Sequence, residues 1–325
     1  RAFAALDGLA GDARGLGIAL SGGGDSVALM HLAAEWAAAR GRSLATATVD
    51  HGLRPESAAE AVAAGFAAAQ LGLPHHVLRW QAGGGSGNLM ANARQARLAL
   101  LADWARGQGL DAVALGHTSD DLAETLLMRL ARGAGIDGLA AMAARRVDHG
   151  MIWLRPLLGI GRTELRDHLR ARGAGWIDDP SNDSDRFERV RARQAIAALG
   201  LDPAALAQSA ANLGNARAAL NAALMPLLDS ARARHGALLL DRAGFDAAPV
   251  EQRRRLIVAA VRFVTGAGYP PRRAGVEHAL AALERGARVT LDGAVLDPGA
   301  ALLIHREPAA AERATLTREV WDNRW

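Results

Sequence analysis

The sequence predicts an α/β fold, a doubly wound parallel sheet followed by a smaller, mostly helical α+β domain. Three observations predict it. Residues 16 to about 155 alternate short apolar strands with amphipathic helical stretches, the pattern of a parallel sheet covered by helices on both faces. The first strand runs into a glycine-rich turn, Ser21-Gly22-Gly23-Gly24-Asp25-Ser26, that opens a helix. Beyond Gly200-Leu201-Asp202-Pro203 the alternation stops and alanine-rich helical sequence takes over, which sets a boundary there. The expected domains are 1–200 and 201–325.

In order, the apolar runs predict strands at Leu16–Leu20, Ser43–Asp50, His75–Trp80, Ala112–Gly116 and Ile152–Leu154. Helical periodicity between them predicts Val27–Arg40, Ser57–Leu71, Asn88–Gln108 and Asp121–Arg132. Gln81–Gly87 is a glycine-rich loop, a surface linker or a gate. A helix follows Gly161-Arg162-Thr163 to about Arg172, then the polar turn Asp178-Asp179-Pro180-Ser181-Asn182, then a helix at Arg186–Leu199. Ala204 to about Arg234 reads as one long alanine-rich helix or a helix pair, and Val250–Val264 as another helix. Val289–Leu291 and Leu302–His305 read as strands of a small sheet joined around Asp292-Gly293.

Composition narrows the chemistry. The 325 residues contain no cysteine, which excludes disulfides and thiolate catalysis. They contain no lysine either, so all 38 basic side chains are arginine, a planar fork suited to phosphate. The net charge of +4 permits a nucleic-acid partner without demonstrating one. No apolar run approaches 18 residues and no signal-like stretch opens the chain, so a soluble, cytoplasmic protein with no membrane partner is expected. The first strand–helix turn lacks G-x-G-x-x-G, which argues against a dinucleotide-dependent dehydrogenase.

The chemistry gathers at strand ends. Glycines let the backbone approach a ligand, and N–H groups at the helix start point at an anion. The turn Ser21–Ser26 adds a carboxylate for Mg²⁺ and a hydroxyl for phosphate. Val49-Asp50-His51-Gly52 and Gly116-His117 stand at neighbouring strand ends, where ligands bind in such sheets. His117, Asp121 and Glu124 share a helix spacing. A carboxylate row beneath a phosphate loop can hold Mg²⁺, with Asp25 and Asp121 the expected ligands. His117 can orient a substrate or move a proton, and Ser119 or Asp120 is the expected helix cap.

Ser21–Ser26 resembles the SGGxDS loop of the N-type ATP pyrophosphatases. Further segments narrow the resemblance to tRNA(Ile)-lysidine synthetases. Asp50–Arg54 resembles their DHGLR segment, Ala93–Arg97 their ARxxR helix, and His117–Thr125 with Arg132-Gly133 and Gly138-Leu139 their HxxDDxxET…RG…GL segment. Arg155–Leu158 and Trp176–Asn182 resemble RPLL and WxxDxSN, and Val289–Gly293 with Leu302–Arg306 resembles the small second domain. Two positions depart from the pattern: Val190 stands where asparagine is usual, and Leu122 where glutamine is frequent.

The resemblance implies an ATP pyrophosphatase catalytic domain at 1–200 and a tRNA-binding accessory domain at 201–325. It implies ATP held by Ser21, Gly22, Gly23, Gly24, Asp25, Ser26, Asp50 and His51, and catalysis by Asp25, His117, Asp121 and Glu124. ATP would adenylate the C2 oxygen of cytidine 34 in the CAU anticodon of tRNA(Ile). Free L-lysine would then displace AMP to give lysidine, changing codon and amino-acid identity from Met to Ile. His117 and Glu124 are the candidates to take the amine proton or hold the ammonium. Arg94, Arg97 and Arg132, with Arg189, Arg191 and Arg193 in a cluster that includes Arg186, are the expected tRNA-phosphate contacts. The sequence leaves the assembly open, a homodimer among the options. Two alternatives stand beside this reading: another adenylating tRNA-modifying ligase such as a thiolase, whose cysteines this chain lacks, and an inactive tRNA-binding module.

Overall fold

The computed structural model describes residues 1–50, 52, 56–80, 89–178 and 188–308, with the side chains of 89–94 outside the description. Outside it also lie His51, the Gln81–Gly87 loop, Asp179–Asn182 and Arg186. The chain divides into two units, Arg1–Gly214 and Asn215–Trp325.

The first unit runs α1 (Ala2–Ala10), β1 (Gly15–Ala19), α2 (Gly24–Arg40), β2 (Ser43–Asp50), α3 (Ser57–Gln70), β3 (His75–Arg79), α4 (Leu89–Gly107) and β4 (Ala112–Ala114). It continues through α5 (Ser119–Leu130), α6 (Ile136–Leu139), β5 (Arg145–Asp148), β6 (Met151–Leu154), α7 (Arg162–Arg170) and α8 (Glu188–Ala198). Among the described residues the strands form one sheet in the order β3-β2-β1-β4-β6-β5. The pairs β3–β2, β2–β1, β1–β4 and β4–β6 are parallel, as the alternating pattern predicts. Strand β5 pairs antiparallel with β6. The sequence reading missed this hairpin, whose His149-Gly150 turn has positive φ at both residues (52° and 67°), the requirement of a tight two-residue connection.

Strand β1 shows why the sheet needs two apolar faces. Leu16, Ile18 and Leu20 face a core with Leu29, Met30 and Trp36 of α2, whereas Ala19 faces the opposite core with Leu101 and Trp104 of α4. Strand β4 repeats the alternation, Ala112 and Ala114 against Val113 and Leu115. Side chains alternate across a strand with period two, and a centrally buried parallel strand is apolar throughout. Gly17 fills the remaining position because Trp104 lies on it: an added Cβ would stand 2.8 Å from Cζ3 of Trp104. Helix α1, also unforeseen, docks on α2 through Asp7, which accepts hydrogen bonds from Trp36 Nε1 (2.8 Å) and Arg40 Nε (2.7 Å).

Helix α9 (Pro203–Ala222) contains the division between the units. The second unit continues with α10 (Met225–Asp229), β7 (Arg232–Arg234), β8 (Ala237–Asp241), α11 (Arg242–Ala247), α12 (Val250–Thr265), α13 (Arg273–Glu284), β9 (Val289–Leu291), β10 (Ala294–Pro298) and β11 (Ala301–Arg306). Its strands form an antiparallel sheet in the order β7-β8-β11-β10-β9. Ile257 and Val261 of α12, Leu280 and Leu283 of α13, and Leu296 and Ile304 of the sheet share its core.

Two expectations change here. Arg232–Arg234, read as the end of an alanine-rich helix, is a strand, because His235-Gly236 makes a positive-φ turn (49° and 74°) that folds β7 back on β8. The Asp292-Gly293 turn (47° and 82°) joins β9 to β10, and β10 intervenes before β11.

Candidate functional site

The sheet order reverses between β1 and β4, and in an open α/β sheet the crevice outside the strand ends at such a point receives ligands. After β1 the loop Ser21–Ser26 is shaped by its own hydroxyls. Ser26 Oγ donates to the Gly23 carbonyl (2.9 Å) and accepts from the Ser21 N–H (3.1 Å), and the two serine hydroxyls lie 3.0 Å apart. Gly22 has φ +83°, and a Cβ there would meet Ile177 at 2.8 Å. The loop therefore leans on the Trp176-Ile177 segment, where the Ile177 N–H donates to the Gly22 carbonyl at 2.9 Å. Helix α2 starts at Gly24 with no side-chain cap among the described residues. The Ser26 N–H turns back to the Gly23 carbonyl at 3.0 Å, and the N–H groups of Gly24 and Asp25 stand at the helix start, where an anion is received.

Strand β4 ends beside that helix start. Gly116 is pressed against it, and a Cβ would stand 3.1 Å from the backbone of Asp25 and Ser26. Helix α5 begins three residues on, at Ser119, and its cap differs from expectation. Thr118 is the N-cap, in a reciprocal box with Asp121: the Thr118 N–H donates to Asp121 Oδ2 (2.9 Å), and the Asp121 N–H to Thr118 Oγ1 (3.4 Å). Ser119 and Asp120 are displaced from that role because the box needs a carboxylate three residues after the cap. Asp120 instead accepts the backbone N–H of Arg162 (2.7 Å). This bond ties the start of α7 to the start of α5.

The tie delivers Arg162 into the carboxylate row. Its Nε stands 3.1 Å from Asp25 Oδ2, its Nη1 3.3 Å from Glu124 Oε1 and its Nη2 3.7 Å from Asp121 Oδ1. One guanidinium nitrogen faces each carboxylate, and the side chain is only 18% exposed. Burial pulls the guanidinium toward its neutral form, but Asp25, Glu124 and Asp121 outweigh it and raise its pKa. Burial raises the Asp25 carboxyl above its ordinary range against the pull of Arg162. Asp25 Oδ1 and Glu124 Oε2 are buried and make no hydrogen bond among the described residues. Sequence reasoning missed Arg162: its one signal, an arginine opening a helix after Gly161, says nothing of a carboxylate 137 positions away.

His117 faces the same cluster. Burial is the main cause that lowers its pKa to about 4, with Arg155, Arg189 and Arg97 adding to it and Asp121 opposing. The ring is therefore neutral near pH 7. Arg155, itself buried, donates from Nε to His117 Nδ1 at 3.2 Å, which leaves Nε2 as the ring's donor. Arg155 belongs to the Arg155–Leu158 segment of the sequence reading, which gave it no role.

The expected arginines divide. Arg189 and Arg193 of α8, both partly exposed, turn toward the carboxylates, Arg189 Nη1 to Asp121 Oδ1 (3.4 Å) and Arg193 Nε to Glu124 Oε1 (3.0 Å). Arg191 is exposed on the same helix, and Val190 is buried in the core. Arg132 pairs with Glu188, and Arg129 donates to the Gly138 carbonyl at 2.6 Å. Arg97 is half-buried on α4, and the side chain of Arg94 lies outside the described residues. Asp50, at the end of β2, accepts from the Gly52 N–H (2.9 Å) and from Ser57 Oγ (2.7 Å), which fixes the entry to α3. Among the described residues no group of three His, Cys, Asp or Glu side chains is spaced to hold a metal, and no helix is long and apolar enough to cross a membrane.

Residues 4–199 match the family model of the PP-loop domain. A tRNA(Ile)-lysidine synthase of Ruegeria pomeroyi is 49% identical over 318 residues, covering 96% of this chain and 76% of that protein. The enzyme of the same name from Bradyrhizobium diazoefficiens is 41% identical, covering 82% of this chain and 78% of its own. Among solved structures, the U34-tRNA thiolase NcsA of Methanococcus maripaludis shares the fold at 17% identity and a TM-score of 0.55, covering 65% of this chain and 76% of that one. A glycine-rich loop beside a His–Asp–Glu row, in a chain that matches the PP-loop domain over residues 4–199 and is 49% identical to one of those synthases over 96% of its length, places it: the chain belongs to the tRNA(Ile)-lysidine synthase family.

Proposed function

We propose that the chain ligates free L-lysine to C2 of cytidine 34 in the CAU anticodon of tRNA(Ile), at the expense of ATP. The observation that carries the reading is the convergence of the Ser21–Ser26 loop with Asp121, Glu124 and His117 across one crevice, in a chain 49% identical to a synthase of that name. In the first step the cytidine O2 attacks the α-phosphorus of ATP; the new O–P bond forms as the α–β bridge breaks and pyrophosphate leaves. The loop N–H groups, with Ser21 supporting the loop, receive the phosphate charge that develops there. In the second step the lysine ε-nitrogen attacks C2, its proton departs, and the C2–O bond breaks to release AMP. A free amine of pKa about 10.4 must shed a proton first. Glu124, whose Oε2 is buried and without a partner among the described residues, suits that acceptor role or the holding of the ammonium. His117, neutral and occupied at Nδ1, suits donation to the substrate from Nε2.

Mg²⁺ fits the donor set. Asp25 and Asp121 present carboxylate oxygens, the hard ligands it takes, and one or two carboxylates completed by substrate phosphates are its usual complement. Bound there it would neutralise phosphate charge in the adenylation step. The tRNA backbone would meet Arg94, Arg97, Arg132, Arg189, Arg191 and Arg193 around the crevice, with residues 201–325 as the accessory tRNA-binding domain. Charge supports that division: residues 1–214 carry 22 arginines against 22 acids, and residues 215–325 carry 16 against 12. The net positive charge belongs to the second unit.

The test is transfer of labelled lysine to a CAU-anticodon isoleucine tRNA transcript with ATP and Mg²⁺. A methionine tRNA with the same anticodon and the Asp25→Ala protein are the controls. Incorporation into the isoleucine tRNA alone, lost in Asp25→Ala, is the expected outcome. AMP and pyrophosphate formed with another acceptor, without lysine transfer, would keep adenylation and reject lysidine formation.

A further inference from the structure

The carboxylates that suit a divalent ion already hold a cation of the protein's own. Asp25 comes from α2, Asp121 and Glu124 from α5, and the guanidinium of Arg162 lies among all three at 3.1 to 3.7 Å. Its backbone is anchored by Asp120, and the unbranched side chain beyond that anchor can change rotamer without moving the helix. Two oxygens of the cluster point to a further ligand: Glu124 Oε2, on a side chain only 2% exposed, and Asp25 Oδ1, both buried without a hydrogen bond among the described residues. Buried carboxylate oxygens left without a donor are costly. Arg189 and Arg193 flank the cluster from α8. A bare divalent ion would meet three guanidinium groups around the oxygens it needs.

We infer that Arg162 is an internal counter-cation that closes the carboxylate cluster to free metal, and that the metal enters only with a nucleotide whose phosphates draw the guanidinium away. The inference rests on the ATP and Mg²⁺ reading above and adds an order of events to it. The phosphate oxygens that arrive with the metal are the planar fork's natural partner. Arg162 thus exchanges one set of oxyanions for another, and the cluster passes from the arginine to the metal without standing uncompensated. Arg162 is on this account a positioning residue, acting through the carboxylates.

Mn²⁺ replaces Mg²⁺ in the test so that free and bound metal are separated by electron paramagnetic resonance. The intact chain should bind Mn²⁺ at least tenfold more tightly with a non-hydrolysable ATP analogue than without it. Arg162→Gln should take up Mn²⁺ without nucleotide, with a Kd at least tenfold below that of the unaltered chain, and adding Asp25→Asn should abolish the gain. Arg162→Lys, which keeps the charge, should stay closed. Circular dichroism reports whether each variant folds, and the comparison on the unaltered chain stands even where a variant fails to fold. Equal Mn²⁺ affinity with and without the analogue, or a folded Arg162→Gln with no gain, overturns the inference and leaves the ATP reading intact. Failure of the unaltered chain to bind the analogue at all rejects the ATP reading and the inference with it.

Discussion

His117 shows what a neighbourhood does to one side chain. Its imidazole accepts a proton near 6.5 when free but only at about 4 in the fold, chiefly because burial opposes the charge. Between those values the unfolded chain binds a proton that the folded chain refuses, so the folded state loses stability as the pH falls. The contribution is fully present above pH 6.5 and lost progressively toward pH 4, amounting to about 3 kcal/mol. Burial lowers His31, His75 and His168 as well, and they act in the same direction. Five of the seven tryptophans lie in residues 1–214, so tryptophan emission during urea unfolding reports on that unit. Between pH 7.5 and pH 5 the unaltered chain should lose more stability than His117→Gln. Parallel losses would mean that the imidazole titrates alike in both states.

At the scale of elements, the sheet is as strong as the fit between its strands and the helices over them. Gly17 lies under Trp104, and the helix cannot retreat without opening the core around Leu101 and Trp153. Gly17→Ala should therefore destabilise the protein by about 1–3 kcal/mol, the usual range for overpacking, despite alanine's better fit to a strand. A shift of the urea midpoint measures it; an unchanged midpoint would show that Trp104 moves freely. Such parts were legible in the sequence to different degrees. Leu16–Leu20, Ser43–Asp50 and Ala112–Gly116 were found within two residues because the first and last are unbroken apolar runs, as buried parallel strands are, and the second sets β-branched Thr46 and Thr48 among buried apolar residues. The strands β5 and β7 were missed because Arg145-Arg146 and Arg232-Ala233-Arg234 are polar edge strands, whose pairing is dictated by His-Gly turns and not by an apolar period. In the site, the loop and the carboxylate row were legible because each is local. The Arg162 contacts were not, because they join three helices far apart in the chain.

For the whole molecule, the separation of charge bears on how a long polyanion is held. With the positive balance in residues 215–325, tRNA affinity should fall steeply as salt rises, since each phosphate contact releases condensed counterions. Arg232 and Arg234, exposed on the edge strand β7, are the sharpest probes. Replacing both with alanine should weaken tRNA binding and flatten the salt dependence by up to about two in the log–log slope, with kcat at saturating tRNA preserved. An unchanged slope would leave the pair a different task, that of keeping an open sheet edge from pairing with other chains.

The hydroxyl bonds inside the Ser21–Ser26 loop have a thermodynamic consequence. Ser26 spends its single hydrogen on the Gly23 carbonyl and receives the Ser21 N–H, so it serves the shape of the cradle before any anion arrives. A loop that is already rigid surrenders little entropy when it closes on its ligand. Nucleotide affinity here should draw on that saving, and Ser26→Ala should cost binding through a more unfavourable entropy more than through a lost enthalpic contact.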